Sequence, residues 1–433
     1  MSEQKQLFNN FPPVSTKQWM DRITADLKGE DFNKKMVWKT AEGFSLMPFY
    51  REEDIKDLPA INSLPGESPF LRGTSYDSSR WLVRQNILVE DYSEANRKAI
   101  EILMKGVDSI GFIIKDPESV NREAIATLLS GIHPESIETN FICEGKAKEI
   151  LRYFISEIEH KGIDKENIKG AFEADPLGRL FLNGKLCISF EAGLDYLADL
   201  TRESLPLLLF RTVHVNGPWL SEAGADIIAE LAFALSMGSE YMAILTDREI
   251  TPDDAASKIR FSFAVGSNYF FEIARLRAAR LLWSHISGAY NPVKNENTKM
   301  MIHCVTSSRN KRVEDPYVNL LRTQTEAMSA VLGGADSITV EPFDKTFKKP
   351  DEFSERIARN QQLLLKEEAY FDKVTDPAGG SWYIEKLTSV IADEAWKLFI
   401  EVEEKGGFAA ALKSGFINDR IKKQAEEREQ KQK

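Results

Sequence analysis

Short runs of β-branched and aromatic residues alternate with longer amphipathic or charged stretches along most of this chain. Eight runs have the length and composition of strands: residues 81–87, 109–114, 137–142, 168–173, 207–215, 260–266, 300–306 and 337–341. Strands joined by helix-length connections must pair in parallel, and eight such units can close without an exposed edge. The pattern therefore predicts a (β/α)8 TIM barrel in the α/β class, with an open doubly wound sheet as the alternative.

The connecting stretches have the periodicity of helices. Residues 93–105 begin at Ser93, a candidate N-cap, and place their apolar side chains on one face, as in a surface helix. Residues 222–235 and 274–283 are more uniformly apolar, which predicts helices packed between the sheet and further chain. Residues 317–332 are predicted to form the helix that precedes the eighth strand.

Both ends of the chain depart from this alternation of predicted strands and helices. Residues 1–70 carry aromatic side chains between polar turns and prolines, which predicts an extended N-terminal arm that needs a surface, either this chain's barrel or a partner subunit. The barrel is predicted over residues 71–400. Residues 401–433 end in a highly charged stretch, predicted to be a C-terminal helical tail or a linker.

Composition narrows the class of protein. No run of about 18 uncharged apolar residues occurs, so a membrane span is not expected. The polar start lacks the apolar stretch of a secretory signal, which favours a cytoplasmic location. A net charge of −11 argues against nucleic acid as a partner. The three cysteines are scattered in apolar segments, and the five histidines show no metal-ligand spacing, so no metal site is predicted.

Several motifs, in order along the chain, are similar to those of one enzyme family. They read PGESPFLRG at 65–73, EAGADIIAELAFAL at 222–235, FAVGSNYFFEIARLRAARLLW at 263–283, DPYVNLLRTQTEAMSAVLGGADSI at 315–338 and DPAGGSWYIEKLT at 376–388. Together they resemble the methylmalonyl-CoA mutases over nearly the whole chain. The resemblance implies a (β/α)8 barrel, in agreement with the strand pattern.

The resemblance also implies a chemistry and a cofactor. Catalytic members interconvert methylmalonyl-CoA and succinyl-CoA with adenosylcobalamin, which binds a separate domain through a histidine in Asp-x-His-x-x-Gly. None of the five histidines has that context, and the chain stops before such a domain would begin. We therefore expect this chain alone to bind no cobalamin. In a complex, adenosylcobalamin would come through a catalytic large subunit of the same fold.

Residues at the expected mouth of the barrel depart from the catalytic pattern. After the fifth strand, catalytic members read Ser-x-Ser-Gly-Tyr-His, and this chain has Pro218 and Trp219 at the Tyr-His positions. Neither can act as a general acid, because Pro has no polar side-chain group and the indole N–H is a very weak acid. Lys258 stands where an arginine binds the substrate carboxylate. No catalytic residue is therefore predicted.

Six residues remain as candidates for a remnant pocket: Arg84, Gln85, His214, Asn216, Trp219 and Lys258. His214 and Asn216 occupy the positions of the two small serines of the catalytic pattern and share one face of the strand. If that face lines the interior, the larger side chains fill the channel that an acyl-CoA would need. The alternative is that both side chains face the helices.

The leading hypothesis is a non-catalytic small subunit that stabilises a catalytic homologue in a heterodimer. An independent barrel enzyme that acts on acyl-CoA with a separate cobalamin-binding chain is the alternative. A third possibility is that a cobalamin-like domain once followed Lys433. The glycine turn at residues 379–381 is interpreted as a helix start, which is more probable on its spacing than a phosphate site.

Overall fold

A computed structural model describes residues 12–432 of the chain, in two compact units divided between Arg51 and Glu52. The predicted arm begins within residues 1–11, which lie outside the described residues, as does Lys433. The first unit contains short elements only: α1 Thr16–Asp26, α2 Phe32–Lys35, and the antiparallel pair β1 Trp38–Lys39 and β2 Ser45–Leu46.

The arm is thus not extended throughout. Helix α1 forms because Ser15 and Gln18 make a capping box, in which each side chain accepts a hydrogen bond from the other residue's backbone N–H. Trp19 stacks on Phe49, with ring centroids 5.2 Å apart, and the Arg51 guanidinium lies over the Trp19 ring. Within the described part of the unit, α1 contains no buried side chain.

The second unit is built on one parallel sheet. Its strands are β3 Leu82–Val89, β4 Ser109–Ile114, β5 Glu138–Cys143, β6 Lys169–Phe172, β7 Phe210–Arg211, β8 Val213–Asn216, β9 Ile259–Val265, β10 Ile302–Thr306 and β11 Ser337–Thr339. They pair in the order β7-β6-β5-β4-β3-β11-β10-β9-β8. Because β7 and β8 are separated by Thr212 alone, the two ends of this order meet and the sheet forms a barrel. The predicted TIM barrel is confirmed.

The predicted fifth strand, residues 207–215, is divided into β7 and β8. The first half pairs with β6 and the second with β9, and the His214 N–H donates to Ala174 O at 2.9 Å across the division. Thr212 N and Val213 N both donate to the Lys258 carbonyl. The strand changes neighbours at this point, which an apolar run cannot indicate.

Helices surround the barrel and extend beyond it. They are α3 Tyr92–Leu103, α4 Arg122–Leu128, α5 Ala147–His160, α6 Pro176–Asn183, α7 Phe190–Glu203, α8 Gly217–Ala223, α9 Ile227–Asp247, α10 Pro252–Ser257, α11 Tyr269–Gly288, α12 Val318–Leu332, α13 Glu352–Leu363, α14 Trp382–Glu403, α15 Phe408–Lys413 and α16 Phe416–Gln432. Short 3-10 helices and a π-helical segment at Leu364–Glu368 link them.

The segments predicted to be helical do form helices, but the first and last residues of these helices differ from the prediction. Helix α3 begins after Asp91, whose carboxylate accepts from the Glu94 N–H, so Asp91 and not Ser93 is the N-cap. Residues 222–235 belong to two helices, α8 and α9, because the chain turns at Gly224 with a φ of 124°. The charged tail is helical, and α16 buries Ile417 and Ile421.

One helix in the described residues, α9, is long and apolar enough to cross a membrane by length and composition. It is a core helix of the barrel instead, since 78% of its most apolar window is buried. Its apolar character comes from packing on all sides: α14, α11 and β9 each contact it.

Candidate functional site

The interior of the barrel is polar. Arg260 on β9 organises the layer of side chains nearest the amino ends of the strands, termed the lower layer. The guanidinium donates to Asn140 Oδ1 at 2.7 Å and to Ser337 Oγ at 2.6 Å, and lies 3.2 Å from Glu138 Oε1. Strands β5, β9 and β11 are not neighbours in the sheet. These side chains can therefore meet only inside the barrel.

Glu138 stays ionised in this layer. Burial favours the neutral acid, but the charge of Arg260 and a hydrogen bond from the Ser109 hydroxyl outweigh it and hold the pKa of Glu138 at about 2. Asn140 Nδ2 donates to Ser109 Oγ at 3.1 Å and to Ile110 O. The lower layer thus consists of an ion pair, Arg260 with Glu138, surrounded by hydrogen bonds to Ser109 and Asn140.

Arg84 crosses the middle of the barrel. From β3 it donates to Asn86 Oδ1 at 2.9 Å and to Glu173 Oε1 at 2.5 Å, at the carboxyl end of β6. It passes over Gly111 of β4, where an added Cβ would lie 2.1 Å from Asn86 Oδ1 and 2.8 Å from Arg84 Nη2. Gly111 therefore provides the space through which Arg84 reaches the opposite wall.

His214 of β8 also lies inside the barrel, next to Arg84 and Glu173. In the strand register it pairs with Arg260 of β9. Its Nε2 lies 2.6 Å from Ser262 Oγ, and its Nδ1 lies 3.5 Å from Glu173 Oε2. Burial lowers the pKa of His214 to about 4 and outweighs the opposing charge of Glu173. The imidazole is therefore neutral near pH 7. The interior residues Arg84, Glu138, Asn140, Glu173, His214, Arg260 and Ser262 are termed the bore network.

The mouth of the barrel, at the carboxyl ends of the strands, is covered on one side by α8. Asn216 precedes this helix, and its N–H donates to Asp175 Oδ2 at 2.9 Å. Pro218 occupies the first turn of α8, and Trp219 packs under Arg179, whose guanidinium carbon lies 5.0 Å from the ring centroid. The two residues at the catalytic Tyr-His positions thus belong to a packed cover.

Asp175 connects this cover to the rest of the barrel. It accepts hydrogen bonds from the Tyr241 hydroxyl at 2.5 Å and the Gly178 N–H at 2.8 Å, in addition to Asn216. Burial raises the pKa of Asp175 to about 6 against the effect of these donors.

Two predicted pocket residues lie elsewhere. Lys258 precedes β9, at the opposite end of the barrel from the mouth, and its ammonium donates to the carbonyls of Ser204, Leu207 and Phe210 at 2.6 to 3.1 Å. Gln85 points outward to α13, where it bonds Glu355 and Arg359. Strand alternation separates Gln85 from Arg84, and the position of Lys258 before its strand excludes it from the mouth.

The structure thus brings together Arg84 and His214 in the bore, with Asn216 and Trp219 at the mouth. Sequence reasoning missed Glu138, Asn140, Glu173 and Arg260. Their signal was available: charged or amide residues inside strands that otherwise read as continuous apolar runs are unusual in parallel sheets and need partners.

The five histidines are distributed between the interior of the barrel and its outer surface. His214 and His303 are buried inside the barrel, where His303 lies between Ser337 and Thr339. His133, His160 and His285 are exposed on the outer helices and loops. Among residues 12–432, no group of three or more His, Cys, Asp or Glu side chains is arranged to hold a metal ion. That the chain holds no metal stays a prediction.

Outside the sheet, buried arginines join the segments that carry the family resemblance. Arg277 of α11 donates to both carboxylate oxygens of Asp376, at 2.6 and 2.7 Å, and to Glu385 of α14 at 2.8 Å. Arg72 also donates to Asp376, and Arg280 donates to the carbonyls of Phe70, Leu71 and Gly334. Residues Arg72, Arg277, Arg280, Asp376 and Glu385 are termed the arginine frame.

The glycine turn before α14 belongs to this frame. The Gly380 N–H donates to Glu385 Oε1 at 2.8 Å, and the Ser381 hydroxyl caps α14 by accepting from the Ile384 N–H. These amides are already bound by the chain itself, which agrees with the interpretation of residues 379–381 as a helix start.

The fold and interior define a TIM-type (β/α)8 barrel whose bore is filled by its own side chains. The family model for methylmalonyl-CoA mutase matches residues 39–121 and 119–433. The chain belongs to the methylmalonyl-CoA mutase family.

Its relatives include a protein named as a small subunit and proteins named as methylmalonyl-CoA mutase. The chain is 48% identical over 422 residues to a protein of Porphyromonas gingivalis called methylmalonyl-CoA mutase small subunit, covering 97% of this chain and 68% of that one. Identity to the methylmalonyl-CoA mutase of Rhizobium meliloti is 34%, covering 91% and 59%. Identity to the human mitochondrial enzyme is 32%, covering 98% and 60%. The chain thus spans about three fifths of the length of these two mutases.

Proposed function

We propose that this chain is the non-catalytic small subunit of a methylmalonyl-CoA mutase. In this role it pairs with a catalytic large subunit of the same fold and stabilises it. The heterodimer interconverts methylmalonyl-CoA and succinyl-CoA with adenosylcobalamin held by the large subunit. The observation that carries the proposal is the bore network, because it occupies the axis along which catalytic members of the family thread acyl-CoA.

The chemistry of the filled bore supports a lack of turnover. Arg84 donates to Glu173, and His214 is hydrogen-bonded to Ser262, with a neutral and buried imidazole. At the mouth, Trp219 and Pro218 offer no acid or imidazole where the resemblance would require them. These buried polar side chains would oppose displacement by a pantetheine chain, since they would lose their present hydrogen-bond partners.

The high identity to the Porphyromonas gingivalis small subunit supports the role of a partner. The N-terminal unit offers a candidate contact, since α1 buries no side chain within residues 12–51 and Trp19 is 45% exposed. A helix of 11 residues is marginal in isolation, so an external surface would stabilise it. We place the heterodimer in the cytoplasm.

Activity assays test the proposal directly. The purified chain with adenosylcobalamin and methylmalonyl-CoA should form no succinyl-CoA, whereas the same chain purified with its partner should do so. Turnover by the chain alone would contradict the proposal. Turnover with a separate cobalamin-binding protein would favour the alternative of an independent barrel enzyme.

Calorimetry tests the closed bore separately. Succinyl-CoA titrated into the isolated chain should give no binding heat, and titrated into the heterodimer should give one site per heterodimer. Two sites per heterodimer, or binding to the isolated chain, would show that this barrel admits acyl-CoA. Co-purification from the source cell would identify the partner by the Tyr-His motif after its fifth strand.

A further inference from the structure

A third buried charge cluster lies behind the mouth, between β9 and helices α9 and α11. Arg275 of α11 contacts two carboxylates: its Nη1 donates to Glu230 Oε2 at 2.5 Å, and its Nη2 lies 2.5 Å from Glu272 Oε2. The exposed fractions of these three side chains are 0%, 2% and 4%. One cation thus serves two carboxylates that water does not reach.

Both carboxylates hold the carboxyl end of β9. Glu230 Oε1 accepts from the Ala264 N–H at 2.9 Å, and Glu272 Oε1 accepts from the Gly266 N–H at 2.8 Å. Arg275 Nη2 donates to Ala264 O. The cluster also borders the mouth cover, since a Cβ on Gly217 would lie 3.0 Å from Glu230 Oε1.

Neighbouring charges do not neutralise the cluster. Glu326 of α12 faces Glu272, but both of its oxygens are engaged by Lys311 at 2.7 Å and one also by Asn310. Cys304 of β10 faces Arg275 and is neutral, because burial raises the pKa of its thiol. Arg309 faces Glu230, but it is exposed, so solvent and salt screen its charge. Arg322 faces Glu326, which already pairs with Lys311.

The buried groups Glu230, Glu272, Glu326, Arg275 and Lys311 would carry a net charge of −1 if all were ionised. An uncompensated charge in a protein interior is strongly disfavoured and is removed by protonation. Hydrogen bonding favours one site: both oxygens of Glu230 accept hydrogen bonds, whereas Glu272 Oε2 meets Arg275 Nη2 as an ion pair at 2.5 Å and accepts no hydrogen bond from the described residues. The proton is therefore best placed on Glu272.

We propose that the Glu230–Arg275–Glu272 cluster is a proton-binding site, occupied principally at Glu272, that fastens the carboxyl end of β9 and the adjoining mouth cover. The inference stands apart from the subunit role, since it concerns the fold of this chain alone. Burial raises the pKa of Glu272 to about 7, against the opposing charge of Arg275. Loss of the proton near neutral pH would loosen the Gly266 region.

The sign of the pH effect follows from the raised pKa. Folded Glu272 holds its proton up to about pH 7, while in the unfolded chain the carboxyl group has the ordinary glutamate pKa of 4.5 and releases its proton near that pH. Its contribution to stability is therefore complete below that value and is lost as the pH rises through about 7.

Urea unfolding of the full chain between roughly pH 5 and 8 tests the proposal, with Glu272→Gln as the probe. The slope of stability against pH should change by one proton in Glu272→Gln. It should stay unchanged in the control Glu394→Gln, which makes the same change on the outer face of α14. Equal slopes in the wild type and Glu272→Gln would overturn the proposal.

A measurement on the wild type covers the case in which Glu272→Gln fails to fold. Infrared spectra of the chain with labelled glutamate should show a buried protonated carboxylic acid near pH 6, lost towards pH 8. Amide exchange at Gly266, corrected for its intrinsic pH dependence, should accelerate over the same range. A fully ionised glutamate spectrum near pH 6 would overturn the proposal.

Discussion

The bore network and the arginine frame are both buried, polar and charged, yet they act differently in this protein. The frame ties α11 and α14 to the segments before β3 and β11, outside the barrel. The bore network ties strands to one another across the axis of the barrel. The frame residues belong to the motifs that resemble those of catalytic members, whereas the departures at Pro218 and Trp219 lie at the mouth and the departure at His214 lies in the bore. Resemblance in sequence therefore reports the architecture more directly than the activity.

Removing Arg277 should have the largest effect. Arg277→Met would leave Asp376 and Glu385 without their main cation in a buried site, and should destabilise the chain by about 3–5 kcal/mol. Urea unfolding measures the loss. Arg97→Met on exposed α3 is the control and should cause no measurable loss. A small effect at Arg277 would mean that the frame is not a principal source of stability.

Filling the space above Gly111 should have the next largest effect. Gly111→Ala would force Asn86 and Arg84 to move, because the new Cβ would meet their polar atoms, and should cost about 1–3 kcal/mol. Gly288→Ala is the matched control, since nothing lies within 4 Å of its Cβ position in α11. Equal stability of the two variants would indicate that Arg84 does not depend on the Gly111 gap.

The buried imidazole of His214 predicts that acid lowers the free energy of unfolding of this chain. Folded His214 has a lowered pKa of about 4 against 6.5 in the unfolded chain, so its contribution is complete above 6.5 and is lost as the pH falls through 4. At most about 3 kcal/mol is involved. His214→Gln should remove this part of the acid sensitivity, measured as the difference in urea unfolding between pH 7 and pH 4. An unchanged difference would place the titrating imidazole outside the buried layer.

Restoring the catalytic Tyr-His motif at the mouth should have the smallest effect, with no gain of acyl-CoA binding. The double variant Pro218→Tyr, Trp219→His should still bind no succinyl-CoA, because Arg84 and Glu173 would still fill the bore. The assay is the calorimetric titration used for the unmodified chain. Binding by the double variant would show that the mouth, and not the bore, keeps acyl-CoA out of this barrel.

The sequence by itself determined the barrel and most of its elements. The eight apolar runs predicted the strands because a parallel strand buried on both faces is nearly continuous in hydrophobicity, and the motif order predicted the family. The same patterns placed Pro218 and Trp219 at the mouth. These features depend on local composition and on strand order, which one chain displays directly.

Only the tertiary structure decided what fills the barrel. Arg84 meets Glu173 across 89 residues of chain, and Arg260 meets Asn140 across 120, so neither pair leaves a local pattern. The structure also divided the fifth strand, because that division depends on which strand lies next to which. A closed barrel brings distant strands to one axis, and the contents of that axis are set by the sum of its inward side chains.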